Sequence, residues 1–159
     1  MEKDIIFIKP HHLIDIIKLY GAGIEHFVKD EAFQHDFYIV ANKIINNCDY
    51  LLQFTTGGDD ICKPCNRFDV QKCTDALSCV NGYFDKETYN RVLDNRIIDI
   101  LRLDLDETYS VRQMLTLFSD KPNLVFLVWI EENEALTDKR NTLFQCGCLK
   151  LLTKATKNL

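Results

Sequence analysis

Residues 57–79 have the sequence GGDDICKPCNRFDVQKCTDALSC and contain four of the seven cysteines of the chain. Cys62 and Cys65 form a C-x-x-C pair, in which a tight Lys-Pro turn can aim two sulfur atoms at one point. Cys73 and Cys79 follow after seven and five intervening residues. Four thiolates satisfy either a tetrahedral zinc ion or an iron–sulfur cluster. This stretch therefore predicts a metal site on a cysteine-rich loop.

The cysteine spacing indicates a metal site but does not identify the metal. The pattern C-x2-C-x7-C-x5-C matches neither a symmetrical zinc ribbon nor the common ferredoxin runs. Residues six apart on a helix lie ~240° around its axis, so Cys73 and Cys79 cannot share a metal if the residues between them are helical. Cys79 is therefore the least certain ligand, and Cys48, His11 or His12 could bind the metal in its place. The alternative is that the cysteines are buried apolar thiols without a metal.

The composition is that of a globular protein, with 159 residues of which 47% are hydrophobic and 27% are charged. No apolar run approaches the roughly 18 residues of a membrane helix, and the N-terminal MEKDIIFIKPHH lacks the features of a signal peptide. We therefore expect a cytoplasmic protein without a membrane partner, in which clustered cysteines bind metal more readily than they form disulfides. The net charge of −5 and the lack of a basic stripe argue against nucleic acid as a partner.

The segments around the cysteine stretch predict a single α+β domain over residues 1–159, mostly helical, with a small β-sheet. Strands are predicted at residues 5–8 and 49–56, which are rich in branched and aromatic side chains. The continuous apolar run at residues 123–130 fits a buried strand or a short buried helix, and its composition favours the strand.

Five helices are predicted from apolar periodicity and from start signals. In chain order, these signals are Pro10 at a first helical position, periodicity over residues 30–47, a capping Asp85, a capping box of Ser110 and Gln113, and Thr137.

Two polar pairs flank the predicted metal loop. His11 and His12 fall in the first helical turn, where the helix dipole disfavours imidazolium and so favours the neutral ring that binds metals. From spacing alone, the favoured interpretation is a helix-start hydrogen bond for one ring and a solvated position for the other. Asp59 and Asp60 could position the cysteine loop or could simply belong to an ordinary turn.

Two further patterns could carry chemistry elsewhere in the chain. Cys146 and Cys148 form a C-x-C motif, which could bind metal or exchange disulfides, but no acid or base stands nearby in sequence to activate it. Glu31 and His35 lie four apart on the predicted second helix, where we interpret them as a solvated pair.

Several segments together resemble a family of short bacterial and archaeal proteins of unknown function, which open with P-H-H-L-L-C and carry a G-x-D-D-I-C signature. The resemblance covers about the first half of the chain. It rests on Pro10-His11-His12-Leu13-Ile14, on Gly21-Ala22-Gly23 with Phe27, and on Gly58-Asp59-Asp60-Ile61-Cys62 with Cys65 and Cys73.

The resemblance implies an iron–sulfur cluster, and it implies that the start of the first helix meets the cysteine loop in space. It also raises the expected importance of His11, His12, Asp59 and Asp60, which would orient ligands or tune the cluster. Asp15 stands where the family pattern has a cysteine. The chain would then recruit another cysteine or a histidine, use Asp15 itself, or lack the cluster.

The leading hypothesis is an iron–sulfur protein with a redox role and an unidentified redox or protein partner. Its cluster would be bound by Cys62, Cys65 and Cys73, with Cys79 as the best candidate for the fourth ligand. A second hypothesis is a structural zinc module that acts by binding a partner protein. A third is a thiol-dependent enzyme, for example in sulfur transfer, that uses Cys146 or Cys148.

Overall fold

The structure is a computed structural model that describes residues 4–65, 68–69, 72–75, 77, 80 and 82–158. Within these residues the helices are α1 (Pro10–Gly21), α2 (Phe37–Asn46), α3 (Lys86–Leu101), α4 (Val111–Ser119), α5 (Leu124–Val128) and α6 (Glu134–Lys157). The strands are β1 (Ile5–Ile8), β2 (Leu51–Phe54), β3 (Phe68–Asp69), β4 (Lys72–Cys73) and β5 (Tyr109–Ser110). The predicted fold class, a mostly helical α+β domain with a small sheet, is confirmed. No helix in these ranges has the length and apolar character needed to cross a membrane.

The main sheet has three strands in the order β1-β2-β5. Strand β1 pairs in parallel with β2, so that Ile8 lies opposite Phe54, and β2 pairs antiparallel with β5. Alternate side chains of the first two strands are buried, as expected for a sheet with one face on the core. The strand predicted at residues 5–8 is therefore confirmed, and the one predicted at residues 49–56 is present but limited to Leu51–Phe54.

The strand favoured for residues 123–130 is wrong, because Leu124–Val128 form helix α5. Leu124, Val125 and Val128 are buried, whereas Phe126 and Leu127 between them are exposed. This burial follows helical spacing rather than the alternation of a strand. Packing of one face of the segment has overridden the strand preference of its branched and aromatic side chains.

Helix α2 is shorter than the predicted 30–47 because Asp30 directs the chain into a turn. Its carboxylate accepts hydrogen bonds from the backbone N–H groups of Ala32 and Phe33, and such local bonds compete with a helix. Gln34 then adopts a left-handed conformation with φ of 58°. Glu31 and His35 consequently do not share a helix face. The prediction that both lie on the second helix is wrong.

The predicted caps of the later helices are confirmed in two cases. Asp85 accepts a hydrogen bond from the backbone N–H of Thr88, and Ser110 with Gln113 forms a capping box. The last helix begins earlier than predicted, at Glu134, because the side chain of Asn133 caps it. Thr137 lies in its first turn instead of starting it.

Helices α1 and α6 cross with their backbones in contact, and glycine permits this approach. A Cβ atom on Gly147 would overlap the carbonyl oxygen of Ile17, and one on Gly21 would overlap that of Leu143. Both positions therefore need a residue without a side chain. The glycine of the C-x-C motif thus has a packing role between the two helices.

We expect Gly147→Ala to destabilise the protein by about 1–3 kcal/mol or more, because the added methyl group must push two backbones apart. Chemical denaturation measures the loss. Cys146→Ala, one residue away on the exposed side of α6, is the matched control and should change the stability by less than about 0.5 kcal/mol. Equal stability of wild type and Gly147→Ala would contradict the close helix crossing.

Candidate metal centre

A cavity of about 470 Å³ lies between the start of α1, the cysteine loop, the first turns of α3 and the segment that joins α5 to α6. Its wall contains the two predicted imidazoles and the three predicted thiols that the structure describes, namely His11, His12, Cys62, Cys65 and Cys73. The expected meeting of the helix start and the cysteine loop is therefore confirmed.

Asp59 joins these two segments. Its side chain is fully buried, and its Oδ2 atom accepts hydrogen bonds from the backbone N–H of Lys9 at 2.8 Å and from Nδ1 of His12 at 2.7 Å. Its Oδ1 atom accepts from the backbone N–H groups of Ile61 at 3.1 Å and Cys62 at 3.0 Å. One carboxylate therefore fixes the first turn of α1 to the backbone that carries the first cysteine.

The charge on Asp59 is stabilised despite its burial. Burial alone would raise the pKa of the carboxyl group, but His12 and the backbone donors of Lys9 and Cys62 hold it well below its usual range. Because an ionised carboxylate only accepts hydrogen bonds, Nδ1 of His12 must carry the proton in this pair. Nε2 is then the ring atom left to bind a metal, which requires that it carry no proton.

Ligand atoms of His12, Asp59 and Cys62 all lie within 4.8 Å of one another, and together they form the metal-competent group found among the described residues. Cys65 and Cys73 line the same cavity but do not join that group. Both are half-buried, and Cys73 belongs to the β3–β4 hairpin, where its backbone N–H donates to Glu87 at 2.8 Å. The prediction that Cys79 is a ligand concerns a residue outside the described ranges.

The thiol of Cys62 is protonated in the metal-free protein. Burial raises its pKa well above the ordinary value, and the negative charge of Asp59 raises it further, while Lys9 opposes them. A thiol in such a setting becomes a thiolate when a metal ion displaces its proton. Cys62 therefore becomes a thiolate ligand only when a metal ion binds.

His11 has a separate carboxylate partner, which the sequence did not reveal. Its Nδ1 atom and its backbone N–H both lie 2.8 Å from Oδ1 of Asp94, a fully buried side chain on α3. Burial lowers the pKa of His11, but the Asp94 charge and hydrogen bond outweigh it, so the pKa is raised. The helix-dipole argument for a neutral ring thus fails at His11, and neither histidine is simply solvated.

The other candidate ligands lie in different settings. Asp15 is half-buried at the cavity wall and lies 3.4 Å from Nζ of Lys18. Asp60 accepts a hydrogen bond from the backbone N–H of Phe7 and so fastens the loop to β1. Cys48 is buried beyond the end of α2 and does not line this cavity.

The C-x-C motif is not arranged for joint chemistry. Cys148 is buried, which raises the pKa of its thiol to about 12, whereas Cys146 is exposed. Residues two apart on a helix point ~200° apart around its axis, so the two sulfur atoms cannot bind one metal or pair with each other. The six cysteines in the described ranges are free thiols.

Lys9 is a cavity residue that the sequence analysis missed. Its side chain is only 1% exposed, and its ammonium group has no hydrogen bond or ion pair with any residue that the structure describes. In the sequence, Lys9 stands between a strand and a proline-initiated helix. That position indicates a buried lysine only once both elements are known to be buried.

The far wall of the cavity comes from residues distant in sequence. Tyr89 donates a hydrogen bond from its hydroxyl group to Glu132 at 2.8 Å, and Arg140 lies 3.3 Å from the same carboxylate. The guanidinium of Arg140 also stacks over the ring of Trp129 at 4.5 Å. This wall is therefore polar at one edge and aromatic at the other.

Comparisons of the chain with protein-family models, with curated proteins and with solved structures gave no match. The family resemblance noted from the sequence therefore stays a prediction.

We expect Asp59→Asn to lower the free energy of unfolding of the metal-free protein by about 2–4 kcal/mol, because an amide cannot accept all four hydrogen bonds of the buried carboxylate. Urea denaturation at neutral pH measures this loss. Asp60→Asn is the matched control at the adjacent, half-exposed position and should cost about 1 kcal/mol or less. Equal losses for the two variants would contradict the joining role of Asp59.

Proposed function

We propose that the protein binds a metal centre on the wall of this cavity, with His12 and the thiolates of the cysteine loop as ligands. The observation that carries the proposal is the hydrogen bond of 2.7 Å between buried Asp59 and Nδ1 of His12. Metal-binding histidines characteristically donate their second ring N–H to a carboxylate, which fixes the ring and its tautomer. Here the same carboxylate also holds the backbone of Cys62.

The donor set fits a thiophilic metal. Cys62, Cys65 and Cys73 bring three sulfur atoms to one cavity, and His12 adds an imidazole nitrogen. Sulfur and imidazole ligands suit zinc and iron–sulfur clusters, whereas magnesium and calcium prefer oxygen. Each oxygen atom of Asp59 already accepts two hydrogen bonds, which favours a role in orienting His12 over a role as a metal ligand.

We assign the centre first to an iron–sulfur cluster, because three thiols from one loop line the wall and a cluster spreads its ligands wider than a single ion does. Such a cluster supplies one-electron transfer when bound. The chain's own residues would hold it and shape its surroundings, with Asp59 orienting His12 and Asp94 fixing His11 beside it. A redox or protein partner would then be required.

A mononuclear zinc site is the second candidate. The ligand atoms of His12 and Cys62 lie within 4.8 Å of each other, which favours a single ion, with Asp59 orienting His12. Tetrahedral zinc with Zn–S bonds of about 2.3 Å needs its ligand atoms about 3.8 Å apart, which lies inside that limit. Zinc would then fix the loop to α1, and the function would lie in binding a partner protein.

Protein purified without oxygen should contain bound metal, and the identity of that metal decides between the two candidates. Iron with acid-labile sulfide and a visible absorption band is the expected result. Stoichiometric zinc without colour would select the zinc site, and colourless protein without iron, sulfide or zinc would overturn the proposal.

Cys62→Ser and His12→Ala should each lower the metal content at least several-fold, because each removes a donor from the centre. Asp59→Asn should weaken metal affinity by about 10- to 100-fold through the loss of ring orientation. Cys146→Ser, which removes an exposed thiol on α6, is the matched control and should retain full metal content. Loss of metal in the control alone would contradict a metal centre at this cavity.

A further inference from the structure

The buried ammonium group of Lys9 has no direct hydrogen-bond or ion-pair partner among the described residues. A charged group removed from water without a partner costs several kcal/mol, so buried lysines are nearly always paired. Lys9 is 1% exposed, it lines the cavity, and no carboxylate in the described ranges lies within ion-pair distance of it. An anion inside the cavity would remove this cost.

Other charged groups at the cavity wall already have partners. The carboxylate of Asp75 lies 2.7 Å from Lys86, and that of Glu132 lies 3.3 Å from Arg140. Asp15 similarly lies 3.4 Å from Lys18. These groups are therefore already paired, whereas Nζ of Lys9 forms no ion pair with any residue that the structure describes.

The remainder of the wall suits the body of a small organic molecule. A cavity of about 470 Å³ falls within the usual range for small-molecule sites. Its apolar lining includes two aromatic residues near α2, one on α3 and one after α5, together with aliphatic side chains from the cysteine loop and α3: Phe33, Phe37, Tyr89, Trp129, Ile61 and Leu93.

We propose that this cavity binds a small organic anion, with its anionic group against Nζ of Lys9 and its apolar body against the aromatic wall. The proposal goes beyond the metal centre, because Lys9 and the aromatic side chains form the site whether or not a metal is bound. Cys62 and His12 line the same cavity, so the bound anion would lie next to the metal centre.

Benzoate is the probe for this site, and benzamide is its neutral counterpart of nearly the same shape. Trp129, the only tryptophan in the chain, lies in the wall and reports occupancy through its fluorescence. Titrations of metal-depleted and metal-loaded protein, repeated by calorimetry, give the two dissociation constants. Wild-type protein should bind benzoate about tenfold or more tightly than benzamide, since a charge-assisted hydrogen bond forms only with the anion.

Lys9→Met removes the charge while keeping an unbranched side chain, and it should abolish that preference by weakening benzoate about tenfold or more without weakening benzamide. Lys63→Met, at an exposed lysine of the cysteine loop that lies outside the cavity, is the matched control and should bind benzoate like wild type. Circular dichroism verifies that both variants are folded.

Equal affinity of wild-type protein for benzoate and benzamide, or no binding of either, would overturn the anion site, whatever the behaviour of the variants. So would a Lys9→Met variant that loses metal but keeps the benzoate preference, since Lys9 would then serve only the metal centre. Binding of benzoate by protein that takes up no metal would support the anion site while the metal proposal fails.

Discussion

The buried carboxylate of Asp59 is the constraint on which the site depends. It accepts four hydrogen bonds, two from the start of α1 and two from the backbone of the cysteine loop. These bonds connect segments that are distant in sequence, since Lys9 and Asp59 are 50 positions apart. They set the position of Cys62 relative to His12, and the hydrogen bond from Phe7 to Asp60 fastens the same loop to β1.

The second constraint is the close crossing of α1 and α6. Gly21 and Gly147 let the two helix backbones touch, and this contact fixes the long C-terminal helix relative to the first. Arg140, on the N-terminal half of α6, is thereby brought to the far wall of the cavity, where it meets Glu132 and Trp129. Packing between two helices thus sets the distance across the cavity, while Asp59 sets the arrangement of its near wall.

The two histidines show how the same local sequence acquires different chemistry from its surroundings. His11 and His12 are adjacent in one helical turn, with ring centroids 4.3 Å apart. His11 pairs with Asp94 of α3, which raises its pKa, whereas Nδ1 of His12 pairs with Asp59, which leaves Nε2 as the ring atom available to a metal. The helix dipole acts on both rings, but a carboxylate in direct contact at low dielectric is the stronger influence.

Sequence alone determined the local features, because these depend on neighbours within a few residues. Pro10 sets the start of α1, Asp85 and the capping box set those of α3 and α4, and the C-x-x-C pair marks the candidate site. Only the tertiary structure decided that residues 124–128 are a helix, that Asp94 pairs with His11, and that Lys9 lines the cavity. Each of those outcomes depends on burial against distant segments, and burial is a property of the packed chain that no local pattern encodes.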